Sequence, residues 1–211
     1  MKLIGMLDSP YVRRVAITLQ QLGLPFEHEP LSVFRTFEAF SRINPVVKAP
    51  TLVCDDGTVL MDSNLIIAYA EVLARPRTLW PADPAALARE LRQVGLALAV
   101  MEKAVQRIYE DGLRPSEKRH EPWVARVMGQ LQAALDALEA ELPRAPLDAD
   151  AQRIGQAGIS VAVAWDFTRR MLPQAAPAAH YPQLAAFSAA AEALPAFRAA
   201  PFGDGRVQAA A

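Results

Sequence analysis

Ser9 stands between Asp8 and Pro10, where a short apolar run, Lys2 to Leu7, gives way to an amphipathic stretch. A hydroxyl at such a junction has unpaired backbone N–H groups and the positive end of a helix dipole beside it, an arrangement that favours an anion. Asp62 and Ser63 repeat the pattern ahead of Leu65, Ile66, Tyr69, Val72 and Leu73, and serve equally well as helix caps. The other chemistry-bearing residue types are dispersed. Cys54 follows two apolar residues and reads as a small core residue. His28, His120 and His180 have no paired ligand spacing, so no metal is expected.

The elements that must position these residues follow from periodicity and punctuation. Val12, Val15, Ala16, Leu19 and Leu22 recur at helical spacing and Gly23 closes the segment, which predicts a strand over 2–7 feeding a helix over 10–22 with Ser9 as its cap and Pro10 at its first position. A second strand is expected over 26–30. Phe34, Phe37, Phe40 and Ile43 lie three apart and predict one short helix with a mostly aromatic packing face. Thr51 to Cys54 and Thr58 to Met61 flank Asp55, Asp56 and Gly57, which is turn chemistry, so they read as an antiparallel hairpin. A helix to about residue 74 follows from Asp62 and Ser63.

The character of the chain then changes. Arg75 to Pro84 is punctuated by three prolines and marks a boundary, giving an N-terminal domain over 1–75, a linker over 76–83 and an all-helical domain over 84–211. Leu87, Leu91, Val94, Leu98, Met101, Val105 and Ile108 form the seam of a long helix. A second helix is predicted over 121–142 and a third, apolar on nearly every face, over 152–170, at the centre of a bundle. Shorter helices are expected at 181–193 and 195–200, with Pro201, Phe202, Gly203 and the closing alanines as a loose tail.

Composition narrows the function classes. The chain has 211 residues, 52% of them hydrophobic and 21% charged, which is ordinary for a globular protein and long enough for one large core or two modest ones. Its 22 basic and 23 acidic residues form no long run of either sign, so no nucleic-acid partner is expected. The most apolar later run, Ala157 to Trp165, falls far short of the roughly 20 residues that span a bilayer, and no membrane partner is expected. One cysteine cannot form an internal disulfide, and the first residues lack a secretory pattern, so the expected location is cytoplasmic.

Ser9, Pro10, Tyr11, Val12 and Arg13, then Asn44, Pro45, Lys48, Ala49 and Pro50, then Asp62 and Ser63 occur in an order and separation that resembles the cytosolic glutathione transferase superfamily, over essentially the whole chain. The likeness is nearest to bacterial members that use serine. It implies an α+β, thioredoxin-like first domain followed by an all-α bundle. It also implies that Pro50 is cis, that Ala49 pairs through its backbone with the cysteinyl part of glutathione, and that Lys48 adds a contact to the ligand. By the same resemblance Asp62 and Ser63 meet the γ-glutamyl ammonium and carboxylate, and the Ser9 hydroxyl donates a hydrogen bond to the sulfur of this co-substrate.

The activity so implied is a detoxifying conjugation of the glutathione thiolate to a small hydrophobic electrophile. Alternatives are another glutathione-dependent reaction, isomerisation or dehalogenation, and a non-catalytic binding or stress protein of the same shape. A second-substrate pocket near Tyr11, Met101, Tyr109 and Trp165, and a twofold homodimer, are also implied. Two positions depart from the pattern. Val47 stands where related loops often have glycine, and the usual capping pair of the central helix falls on Arg153 and Gln156.

Overall fold

The computed structural model describes residues 1–208, and the closing alanines 209–211 lie outside the described residues. Two compact units are present: Met1–Leu79 with the segment from Ala193 onward, and Trp80–Glu192.

The first unit is built on a four-stranded sheet of order β2-β1-β3-β4. Strand β1 (Lys2–Ile4) pairs parallel to β2 (Glu27–Glu29), with Leu3 opposite His28, and antiparallel to β3 (Thr51–Val53), with Leu3 opposite Leu52. Strand β4 (Val59–Met61) closes the predicted hairpin on β3. Helix α1 (Pro10–Gln21) connects β1 to β2, and this crossover makes their parallel pairing possible. Helix α2 (Phe37–Ile43) is short, and α3 (Ser63–Leu73) packs on α1. Strand β1 is shorter than the apolar run suggested because the chain turns at Gly5, whose φ is 136°.

The aromatic face expected on α2 does not form. Phe40 is buried, but Phe34 and Phe37 are 56% and 50% exposed, because the helix starts only at Phe37 and turns a single residue of the set inward.

The second unit is helical. Helix α4 (Pro84–Leu113) packs on α5 (Glu121–Glu141) and α6 (Gln156–Met171), and α7 (Pro182–Glu192) packs on α5 and α6. Asp83 caps α4 by accepting from Ala86 N–H at 2.7 Å. The buried stripe of α4 keeps Val94 and Met101 of the predicted seam and adds Ala97, Val100 and Ala104, whereas Leu91 is exposed. A helix clamped by two neighbours buries a broad face, and alanines let the backbones approach. As expected, α6 is buried from Gln156 to Thr168.

Helix α6 begins with Gly155 in the cap position, so the capping pair assigned to Arg153 and Gln156 is corrected to Gly155 and Gly158. A Cβ at Gly158 would meet Ile154 Cγ1 at 2.8 Å, so no aspartate fits where such a pair would end. The Glu90 carboxyl of α4 faces the Ala157 N–H instead, and desolvation raises its pKa against the pull of that N–H.

The last segment departs most from expectation. Helix α8 (Pro195–Ala199) packs on α1 in the first unit, where Arg13 Nε donates to Ala200 O at 2.8 Å and the guanidinium lies over the Phe197 ring. Gln20 Nε2 donates to Ala196 O at 3.2 Å. The expected loose tail is also tied down as far as it is described: Gln208 N–H donates to Ala199 O at 2.7 Å and Val207 N–H to His28 Nδ1 at 3.0 Å.

Candidate active site

The N-terminus of α1 is set by the chain just before it. At Gly5 a Cβ would lie 2.6 Å from Val12 Cγ2 and 3.3 Å from Ala49 Cβ, so only glycine lets this turn, the first turn of α1 and the loop before β3 meet. Ser9 follows as the cap of α1, with its N–H donating to Met6 O at 3.2 Å. Its Oγ is half-buried and accepts from Val12 N–H at 3.5 Å. An oxygen that only accepts from the helix keeps its own proton to donate elsewhere.

The loop before β3 is held from beneath. Asn44 is buried, donates through Nδ2 to Thr51 Oγ1 at 2.8 Å and accepts from Val46 N–H at 3.0 Å, while Thr51 Oγ1 donates to Lys48 O at 2.7 Å. The Ala49–Pro50 peptide bond is cis. Among the described residues neither the N–H nor the C=O of Ala49 has a hydrogen-bond partner, which leaves both for an added strand. Val47 has φ 51°, the left-handed region in which a β-branched residue is strained by about 1–3 kcal/mol. The absent glycine at this position therefore carries a conformational cost.

At the start of α3, Asp62 is the cap, accepts from Asn64 N–H at 2.9 Å and lies 3.6 Å from Lys48 Nζ. Its φ of 73° turns the chain sharply into the helix. Ser63 is buried, and its Oγ accepts from Arg14 Nη1 at 3.1 Å; the same nitrogen donates to Asn64 Oδ1 at 2.7 Å. Arg14 is buried too, and its Nε has no partner. Desolvation lowers the Arg14 pKa to about 10, opposed by Asp62 and Tyr11, so it stays a cation at neutral pH beneath Ser63.

The first unit thus brings together, as two helix N-termini and a loop, the residues singled out at positions 9, 48, 49, 50, 62 and 63. Sequence reasoning missed Arg14 and Gly5. A charged residue on an otherwise apolar helix, and a glycine where a strand meets a helix, were the available signals.

The proposed second-substrate residues fare differently. Tyr11 lies half-buried in the first turn of α1, and Tyr109 is 42% exposed on α4. Met101 and Trp165 are 0% and 2% exposed, and Trp165 packs edge-on against Tyr181. As core of the helical unit they offer no surface to a substrate, which corrects their assignment. Cys54 is buried, as a core residue should be. Among the described residues no group of three His, Cys, Asp or Glu could hold a metal ion, and no helix is long and apolar enough to cross a membrane.

A thioredoxin-like sheet with a helical second unit defines the class, and comparison with known proteins gives the family. Residues 3–78 match the glutathione S-transferase N-terminal domain model. A glutathione transferase family member from Pseudomonas fluorescens Pf-5, solved with bound glutathione, is 32% identical with a TM-score of 0.81, the match covering 94% of this chain and 97% of that one. A glutathione S-transferase of Methylobacterium radiotolerans, solved with glutathione sulfonate, is 26% identical with a TM-score of 0.86 over 96% and 95% of the two chains. The GST-like protein YibF of Escherichia coli is 29% identical over 82% of this chain and 85% of its own length. The chain belongs to the glutathione transferase family.

Proposed function

We propose that this protein is a serine-type glutathione transferase that joins the glutathione thiolate to a small hydrophobic electrophile. The observation that carries the reading is Ser9, whose Oγ accepts from Val12 N–H and keeps its own proton for a sulfur. A thiol of pKa near 8.5 is a few per cent ionised at neutral pH, and lowering that value by about 2 units takes roughly 2.7 kcal/mol of preference for the anion. One charge-assisted hydrogen bond at a helix N-terminus is of that size. The backbone of Ala49 pairs with the cysteinyl portion, Asp62 takes the γ-glutamyl ammonium, and the Ser63 hydroxyl donates to its carboxylate while Arg14 supplies positive charge from below. Lys48, held near Asp62, takes a ligand carboxylate. Catalysis then consists of holding the anion and bringing the electrophilic carbon beside it.

The test is to titrate the protein with glutathione while following thiolate absorbance, then to add a panel of aryl halides, alkyl halides and cis-enones. The expected result is a thiolate signal at neutral pH and conjugate formation with an aryl halide. Dehalogenation or isomerisation alone would move the protein to another reaction on the same scaffold, and binding without turnover would make it a glutathione-binding protein.

A second copy of the chain is the proposed partner. Leu65, Val72 and Leu73 are 64%, 54% and 44% exposed on α3, and a face of that kind is usually covered. Leu65→Glu should shift the mass measured by light scattering from dimer to monomer; an unchanged mass would remove α3 from the interface.

A further inference from the structure

His28 occupies the middle of β2 with its ring buried and both nitrogens engaged. Nε2 lies 2.7 Å from Gly5 O and Nδ1 lies 3.0 Å from Val207 N. A carbonyl can only accept and a backbone N–H can only donate, so the ring must be neutral with its proton on Nε2. It therefore bridges two segments distant in sequence, the turn at Gly5 that leads to Ser9 and the C-terminal strap over 201–208.

We infer that His28 is a proton-sensitive latch: while neutral it ties the 201–208 strap to the turn that presents Ser9, and protonation at Nδ1 sets N–H against N–H and releases the strap. The importance of this for Ser9 rests on the function proposed above; the latch itself does not.

Other contacts also hold the strap. Gln208 N–H donates to Ala199 O, and Asp204 lies 3.8 Å from Arg35, an exposed pair that contributes little. Arg35 Nη2 reaches Met6 Sδ, and Arg35 and Asp204 both act electrostatically on Asp8, so the strap touches the Ser9 turn by a second route. A cleft of about 530 Å³ borders the ring and gives protons access to it. The charged groups around it are Lys2 of β1, Glu27 and Glu29 of β2 and Arg206 of the strap, with Lys2 3.8 and 3.5 Å from the two glutamates.

Burial holds the ring below its ordinary value of 6.5, the Gly5 carbonyl opposing and Arg206 reinforcing the shift. A released ring therefore binds a proton more readily than a latched one. The stabilisation is complete above about pH 6.5 and is lost as the pH falls from there toward the lower value of the latched ring.

Hydrogen exchange on the full chain without glutathione, corrected for intrinsic rates, tests the latch separately from the glutathione reading. Between about pH 7.5 and pH 5.5, strap amides including Val207 should lose roughly tenfold protection, with residues 5–9 following at the same midpoint, and His28→Gln should abolish the pH dependence. Unchanged strap protection in the wild type, an equal loss in His28→Gln, or strap release without a response at 5–9 would overturn the proposal. A measurement that needs no variant is nitrogen NMR of the His28 ring. A bare Nδ1 near pH 7.5 that gains a proton as the strap opens supports the latch, and a proton on Nδ1 at that pH overturns it.

Discussion

The starts of α1 and α3 are both helix N-termini with a side-chain oxygen at the cap, and they are built in opposite ways. Ser9 accepts one long hydrogen bond, 3.5 Å from Val12 N, and is half-buried. At α3, Asp62 holds Asn64 N–H at 2.9 Å and lies near Lys48, while Ser63 is buried against Arg14. On the function proposed above, the difference would follow from two tasks. A group that answers a change of charge on sulfur would keep its proton uncommitted, whereas groups that recognise fixed charges would be held in place beforehand, so that less ordering is left for the moment of binding.

The contrast can be broken by substitution. Ser9→Ala should lower the conjugation rate at neutral pH about 30- to 100-fold and raise the pKa of the bound thiol by about 1 to 2 units, with little loss of glutathione affinity. If steady-state kinetics and thiolate titration instead showed a pure affinity defect, the two helix starts would share one role.

Arg14→Met should do the reverse. Losing the donor to Ser63 and the buried charge should raise KM for glutathione about tenfold and leave kcat within about twofold. A fall in kcat with unchanged KM would place Arg14 on the sulfur side.

The smallest effect is expected at the loop between them. Val47→Gly removes the left-handed strain but adds freedom to the unfolded chain, so stability in urea should change by less than about 1 kcal/mol. A loss well beyond that would mean that the valine side chain supports the site through packing.

How much of this was legible in the sequence depended on the range of the forces involved. The order of strands and helices, the hairpin at Asp55–Gly57 and the cap at Ser9 are local, written in proline, glycine and periodicity within a dozen residues. Spacing alone misled where it could not report which side faces inward, as at Phe34 and Phe37; at Met101 and Trp165 it pointed to the helical core, and the family resemblance drew them out of it. Arg14 beneath Ser63, Gly5 against Ala49, and the return of α8 and the strap to the first unit join residues far apart in sequence. Each depends on the finished fold.

The opening turn of α6 has a consequence for the order of assembly. It contains Gly155 and Gly158, has no side-chain cap of its own, and relies on Glu90 from α4 to face the Ala157 N–H. A segment so poorly equipped to nucleate should stay coiled by itself, so a synthetic peptide over 152–171 should give a random-coil circular dichroism spectrum. The most enclosed helix of the protein would then be among the last to become regular, waiting for Glu90, far upstream on α4, to arrive.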